Sequence, residues 1–111
     1  PTSCISIKSD NFNKILKSIS IKLYPDIWLD LRICIYAKYV LNKIYIVDKN
    51  LTYYRQIETS VSSKFKFLSN NWWQRRMEAH DYLIYFFEKQ NKKYKKNLDY
   101  FFTKIYNLLL K

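Results

Sequence analysis

Glycine is absent from the 111-residue chain, and proline occurs only twice, at Pro1 and Pro25. Turns with positive φ ordinarily recruit glycine, so asparagine is expected to take those places, at Asn42-Lys43, Lys49-Asn50 and Asn70-Asn71. The two cysteines, Cys4 and Cys34, have no metal-ligand spacing and no CxxC partner, which excludes a zinc ribbon or a disulfide framework and leaves reduced, cytosolic thiols. The single histidine, His80, has no second imidazole or cysteine close in sequence, so it reads as a helix surface or interface residue. No apolar run approaches the roughly 18 residues that span a bilayer, and no charged-then-apolar leader opens the chain. A soluble or peripheral protein is expected.

Acid is also scarce: 9 Asp and Glu stand against 20 Lys and Arg, for a net charge of +11. Such an excess points to nucleic acid or an anionic membrane as partner. Lys, Asn, Ile, Tyr and Phe rise together, however, which is the bias of an AT-rich genome, so nucleic acid is not the favoured partner. With 49% hydrophobic and 19% aromatic residues the chain has ample material for a core and is not disordered. It opens at Pro1, directly in a strand-like run, which leads us to expect a fragment.

Short strands and longer helices follow from the pattern. Residues 3–8 alternate as a strand, and Ser9-Asp10 caps a helix with Phe12, Ile15, Leu16 and Ile19 at helical spacing. Pro25 fits the first turn of a second helix, running to about Leu41, in which Asp26 and Asp30 share one face near the positive end of the dipole. Only Arg32 and Lys38 are charged from Leu31 to Leu41, so this helix reads as buried with its acidic start at a cleft. Residues 43–47 and 51–55 are β-branched and aromatic, and predict two strands joined by a turn at Asp48-Lys-Asn50, either paired as a hairpin or lying as neighbouring segments; a hydroxyl-rich loop follows to Ser63. Ser69, Asn70 or Asn71 caps a helix to about Lys89, residues 91–96 make a basic break, and a last helix aligns Leu98, Phe101, Phe102, Ile105, Leu108 and Leu109. That apolar stripe faces either the core, the reading preferred here, or an anionic membrane.

Polar groups interrupt apolar sequence in Tyr24-Pro-Asp-Ile-Trp-Leu-Asp-Leu-Arg32 and Leu51-Thr-Tyr-Tyr-Arg-Gln56. Together with Thr59-Ser-Val-Ser-Ser63, Asn71-Trp-Trp-Gln-Arg-Arg76 and Ala79-His80, and in that order, these segments resemble the C-terminal part of bacterial family 2 glycosyltransferases, over most of residues 1–90. The resemblance implies an inverting enzyme of the glycosyltransferase A fold and makes Asp26 the general base toward an acceptor hydroxyl. Trp28, Asp30, Tyr54, Arg55 and Gln56 become substrate-binding candidates: Trp28 as a sugar platform or a core residue, and Asp30 as support for its neighbours. Arg55 either grips a diphosphate or a nearby carboxylate bidentately, or forms a structural ion pair with Asp26 or Asp30. Ile57 stands where the family often has histidine, the usual Gly-rich loop is missing, and the Asp-x-Asp motif of the donor-binding half is not in this sequence.

Trp72-Trp73 beside Arg75-Arg76 invites a nucleic-acid platform. Adjacent helical residues diverge by about 100°, so packing is the better account.

The expectation is therefore an α+β, mostly helical region, residues 1–63 forming the acceptor and catalytic segment and residues 64–111 the C-terminal helices of a nucleotide-diphospho-sugar transferase fold. Its partners would be a nucleotide-diphosphate sugar and a glycan acceptor, with a divalent metal, Mg or Mn, in the missing donor half and no metal site in this chain. The enzyme would be cytoplasmic or peripheral at the inner face of the membrane. The alternative is a small basic helical module that binds nucleic acid or an anionic surface.

Overall fold

The computed structural model describes residues 5–19, 22–47, 49 and 61–109. Among these residues are four α-helices, α1 (Ser9–Ser18), α2 (Leu29–Tyr39), α3 (Asn70–Lys89) and α4 (Leu98–Leu109), one 3₁₀ turn (Val61–Phe65) and no strand. The mostly helical character matches the sequence pattern; the short strands expected at residues 3–8 and 43–47 do not appear among the described residues. Residues 5–8 are irregular, and residues 43–47 run irregular and exposed. A β-prone segment gains its stability from a neighbouring strand, and the partner expected for residues 43–47, residues 51–55, lies outside the described residues.

The chain divides into two compact units, Pro1–Arg55 and Gln56–Lys111. In the first, Ile15 and Ile19, at the end of α1, bury against Ile33 of α2, with Ile5, Ile7, Tyr36 and Leu41 packed around them. Phe12 and Leu16 stay exposed, so only half of the predicted stripe of α1 meets this core. Ser9 opens α1 rather than capping it; Lys8 is the N-cap and supplies no side-chain hydrogen bond. Helix α2 starts three residues later than Asp26 and exposes Cys34, so it is buried on one side rather than nearly all round.

The second unit is a helical hairpin. The Ser69 hydroxyl accepts the Trp72 N–H at 3.2 Å, which selects Ser69 from the three N-caps that the sequence offered. At its other end α3 stops in a Schellman motif: Asn91 takes φ 53°, its N–H reaches Glu88 O at 2.9 Å, and the Lys92 N–H reaches Phe87 O at 2.8 Å. Asn97 then caps α4 by accepting the Tyr100 N–H at 3.0 Å. Trp73 stacks on Tyr106 with ring centroids 4.3 Å apart, while Arg76 and His80 reach Asp99, so α3 and α4 run antiparallel. The Asn107 amide ties the seam by donating to Trp73 O at 3.0 Å and Thr103 O at 2.8 Å.

Asparagine does replace glycine, at Asn42 and Asn91, but Tyr24 and Leu68 also take positive φ, 60° and 62°. A non-glycine side chain in that region carries strain. Both positions adjoin a fixed turn or cap.

Thr103 is fully buried on α4, and its hydroxyl has no hydrogen-bond partner among the described residues. Thr103→Val keeps the shape and removes an unsatisfied polar group, so it should stabilise the hairpin by about 1 kcal/mol. A thermal melt that fell, rather than rising by a few degrees, would show that the hydroxyl has a partner.

Candidate functional site

The stretch from Leu23 to Arg32 is built around a buried guanidinium. Arg32 is only 2% exposed. Its Nη2 donates to Leu23 O at 2.8 Å and also to Tyr24 O. The Ile27 N–H closes a four-residue turn on the same Tyr24 carbonyl at 3.2 Å, with Pro25 and Asp26 as its central pair. Proline at the second position of such a turn is favoured because its φ is preset. Ile27 points inward and is buried, whereas Asp26 and Trp28 are exposed. The turn thus has one anchored side and one presented side.

This geometry corrects the expected helix. Pro25 is not its first residue, and Asp26 does not share a helical face with Asp30. The Leu23 and Tyr24 carbonyls are committed to Arg32, and Trp28 is extended at φ −59° and ψ 133°, so helical geometry begins only at Leu29. Asp30 lies in the first turn of α2, partly buried, with Oδ1 accepting the Leu31 N–H at 3.0 Å near the positive end of the helix dipole. Asp26, Trp28 and Asp30 therefore fall within one short presented stretch. Tyr54, Arg55 and Gln56 lie outside the described residues.

Arg32 is the residue that sequence reasoning undervalued. Its signal was there: an arginine in an otherwise apolar helical run, where a charge is normally buried only when its donors are satisfied.

A second polar cluster joins α3 to α4. His80, 5% exposed, faces Asp99 Oδ2 through Nε2 at 3.0 Å and the Tyr94 hydroxyl through Nδ1 at 3.1 Å. Arg76 Nε donates to Asp99 Oδ1 at 3.0 Å and its guanidinium covers the Trp72 ring at 4.8 Å. Arg75 is buried and lies over Phe65, centroid distance 4.1 Å. These residues are consumed by packing, as is Trp73 on Tyr106. Among the described residues no group of three His, Cys, Asp or Glu lies close enough to hold a metal ion, and no helix is long and apolar enough to cross a membrane.

Comparison of the chain with models of protein families, with curated proteins and with solved structures returned no match.

Two stability predictions follow from the two clusters. Arg32→Met removes the donor to two carbonyls and leaves part-buried acceptors unpaired, a cost of about 2–3 kcal/mol. Denaturant unfolding should show that loss together with faster proteolysis at residues 23–28; an unchanged midpoint would remove Arg32 from its anchoring role.

The other concerns acid. Burial pushes the Asp99 carboxyl up, but the hydrogen bond and charge of Arg76, with those of His80, outweigh it and hold the group below its ordinary 3.8. Burial raises Asp81, the charges of His80 and Lys104 offsetting only part of it. A depressed carboxylate stabilises the fold above 3.8 and loses that contribution as pH falls through its lower folded value, whereas a raised one costs stability at neutral pH and is relieved on the way down to 3.8. Acid titration should show a small gain and then a loss. Asp81→Asn should abolish the gain and Asp99→Asn the loss; the reverse assignment would refute both.

Proposed function

We propose that this chain is the acceptor-side portion of an inverting family 2 glycosyltransferase, in which Asp26 is the general base. The carrying observation is the anchored turn: Arg32 fixes the backbone at Leu23 and Tyr24, and Asp26 lies at an exposed position of that turn, two residues from Trp28. A general base must be ionised, open to its substrate and fixed in position. The order of the Asp26, Tyr54-Arg55-Gln56 and Asn71-to-Arg76 segments along the sequence supports the same reading.

In the reaction, an acceptor hydroxyl on a glycan or lipid-linked substrate lies within hydrogen-bond reach of Asp26. Trp28, 41% exposed, is assigned as the ring on which a sugar stacks. Asp26 takes the hydroxyl proton as that oxygen attacks the anomeric carbon of a nucleotide-diphosphate sugar from the side opposite the leaving diphosphate, inverting the centre. Arg55 and Gln56 are assigned to the substrate's phosphate or hydroxyl oxygens, and Asp30 supports the start of α2. A divalent cation, Mg or Mn, held by a donor-binding half would supply charge neutralisation at the diphosphate. The chemistry runs on the cytoplasmic side, at the inner face of the membrane.

The experiment is Asp26→Asn in an active protein that combines this region with a donor-binding half. The substitution is nearly isosteric and lies on an exposed turn, so donor affinity and melting temperature should not change, while kcat should fall about 10²–10⁴-fold. Asp30→Asn, partly buried in α2, should act on stability or acceptor KM with a smaller loss of kcat. Near-normal kcat for Asp26→Asn with a collapse for Asp30→Asn would transfer the role to Asp30. Full activity in both would leave the transfer reaction without a base in this chain.

A further inference from the structure

Helix α4 packs in the opposite sense to the one its amphipathic pattern favours. Asp99, Tyr100, Thr103 and Asn107 form its inner side: Asp99 meets Arg76 and His80, Tyr100 and Thr103 are buried, and Asn107 bonds to the α3 backbone at Trp73. The apolar residues Leu98, Phe101, Phe102, Ile105, Leu108 and Leu109 are all exposed, from 50% at Phe101 to 80% at Leu109. At 100° per residue they span an arc of about 120°, with Lys104 at its border. Apolar patches of that continuity on a small protein mark an interaction surface.

Charge identifies what the surface meets. From Lys89 to the end of the sequence there are seven lysines and one acid, Asp99, whose carboxylate is turned inward to Arg76 and His80. Lys92, Lys93, Lys95 and Lys96, in the segment leading into α4, are all exposed. A second copy is disfavoured, because a two-fold interface on α4 would pair two segments that each carry seven lysines and one acid. Nucleic acid would engage the lysines and leave the Leu and Phe arc in water. An apolar arc flanked by lysines fits a surface that is anionic outside and hydrocarbon beneath.

We propose that α4, with the lysine segment before it, is a membrane-docking surface that lies in the headgroup region of an anionic bilayer, with Phe101, Phe102, Ile105 and Leu109 entering the acyl boundary. The surface stands on α3 and α4 alone and does not depend on the glycosyl-transfer reading. A protein that transferred sugar but ignored membranes would refute only the docking surface.

The test is partition of the full 111-residue chain into vesicles of phosphatidylglycerol mixed with phosphatidylcholine, and into phosphatidylcholine alone. Binding is expected to the mixed vesicles and to be far weaker to the neutral ones. F102S/L109S, at exposed positions, should keep the far-UV circular dichroism and lose about 10-fold or more in partition. K92Q/K93Q/K95Q/K96Q should lose about 10²-fold or more. Four results would overturn the proposal. One is no partition into anionic vesicles. Another is partition unaffected by F102S/L109S, which is polycation behaviour only. The third is self-association without lipid, abolished by F102S/L109S. The fourth is duplex DNA binding that outlasts vesicle binding as salt is raised.

Discussion

The double engagement of Asp99 determines how the second unit is arranged. Its two carboxylate oxygens take separate partners, Oδ1 from Arg76 and Oδ2 facing His80, and both partners project from α3. Once those are made, the polar stripe of α4 faces α3, and the apolar stripe, on the other side of the same helix, must face away. Magnitudes make this consequential. The Arg76 and Asp99 side chains are each more than a third exposed, so solvent screening holds their pairing to about 1 kcal/mol or less, whereas burying one Leu or Phe side chain is worth about 1.5–3 kcal/mol. Six exposed apolar side chains are therefore a driving force that the seam leaves unused. Covering the outer face of α4 with something apolar would add to the seam's own contacts, which already bury Tyr100 and stack Trp73 on Tyr106.

In the first unit the comparable constraint is Arg32. Two successive carbonyls must be satisfied by one side chain, and a planar guanidinium with several fixed donors does this where a lysine ammonium would have to be desolvated as a point charge. The turn it fixes contains Tyr24 at φ 60°, a conformation that glycine would adopt without strain. With no glycine in the chain, the arginine supplies what offsets that strain. Buried charge, local strain and the exposed Asp26 thus meet within ten residues.

Much of this was legible in the sequence where a local rule acts alone. Ser69 fixed the start of α3 by capping chemistry, Asn42 followed α2 at positive φ, and the basic break after Lys89 fell where α3 ends. Where two local rules compete, the sequence misled. Pro25 is as well suited to the second position of a turn as to the first turn of a helix, and the choice was made by Arg32, which reaches back to Leu23 and Tyr24. The direction in which α4 faces was illegible for a different reason. Periodicity tells which side of a helix is apolar but not whether that side is covered, and the deciding contact links His80 to Asp99 across nineteen residues. The roles of Tyr54, Arg55 and Gln56 rest on sequence alone.

The cations divide by type, which changes what the net charge means. Of the four arginines, Arg32, Arg75 and Arg76 are used inside the fold, on carbonyls, on the Phe65 ring, and on Asp99 with Trp72. The exposed positive charge therefore comes chiefly from lysine, and seven of the sixteen lysines fall in the last 23 residues. Compositional bias toward lysine accounts for their number but not for their clustering next to the apolar side of α4. A lysine ammonium is a hydrated point charge without the planar fork that recognises a single phosphate bidentately. A cluster of them favours a diffuse anionic surface over a defined phosphate pocket, and the neighbouring apolar arc restricts that surface to one with hydrocarbon within reach.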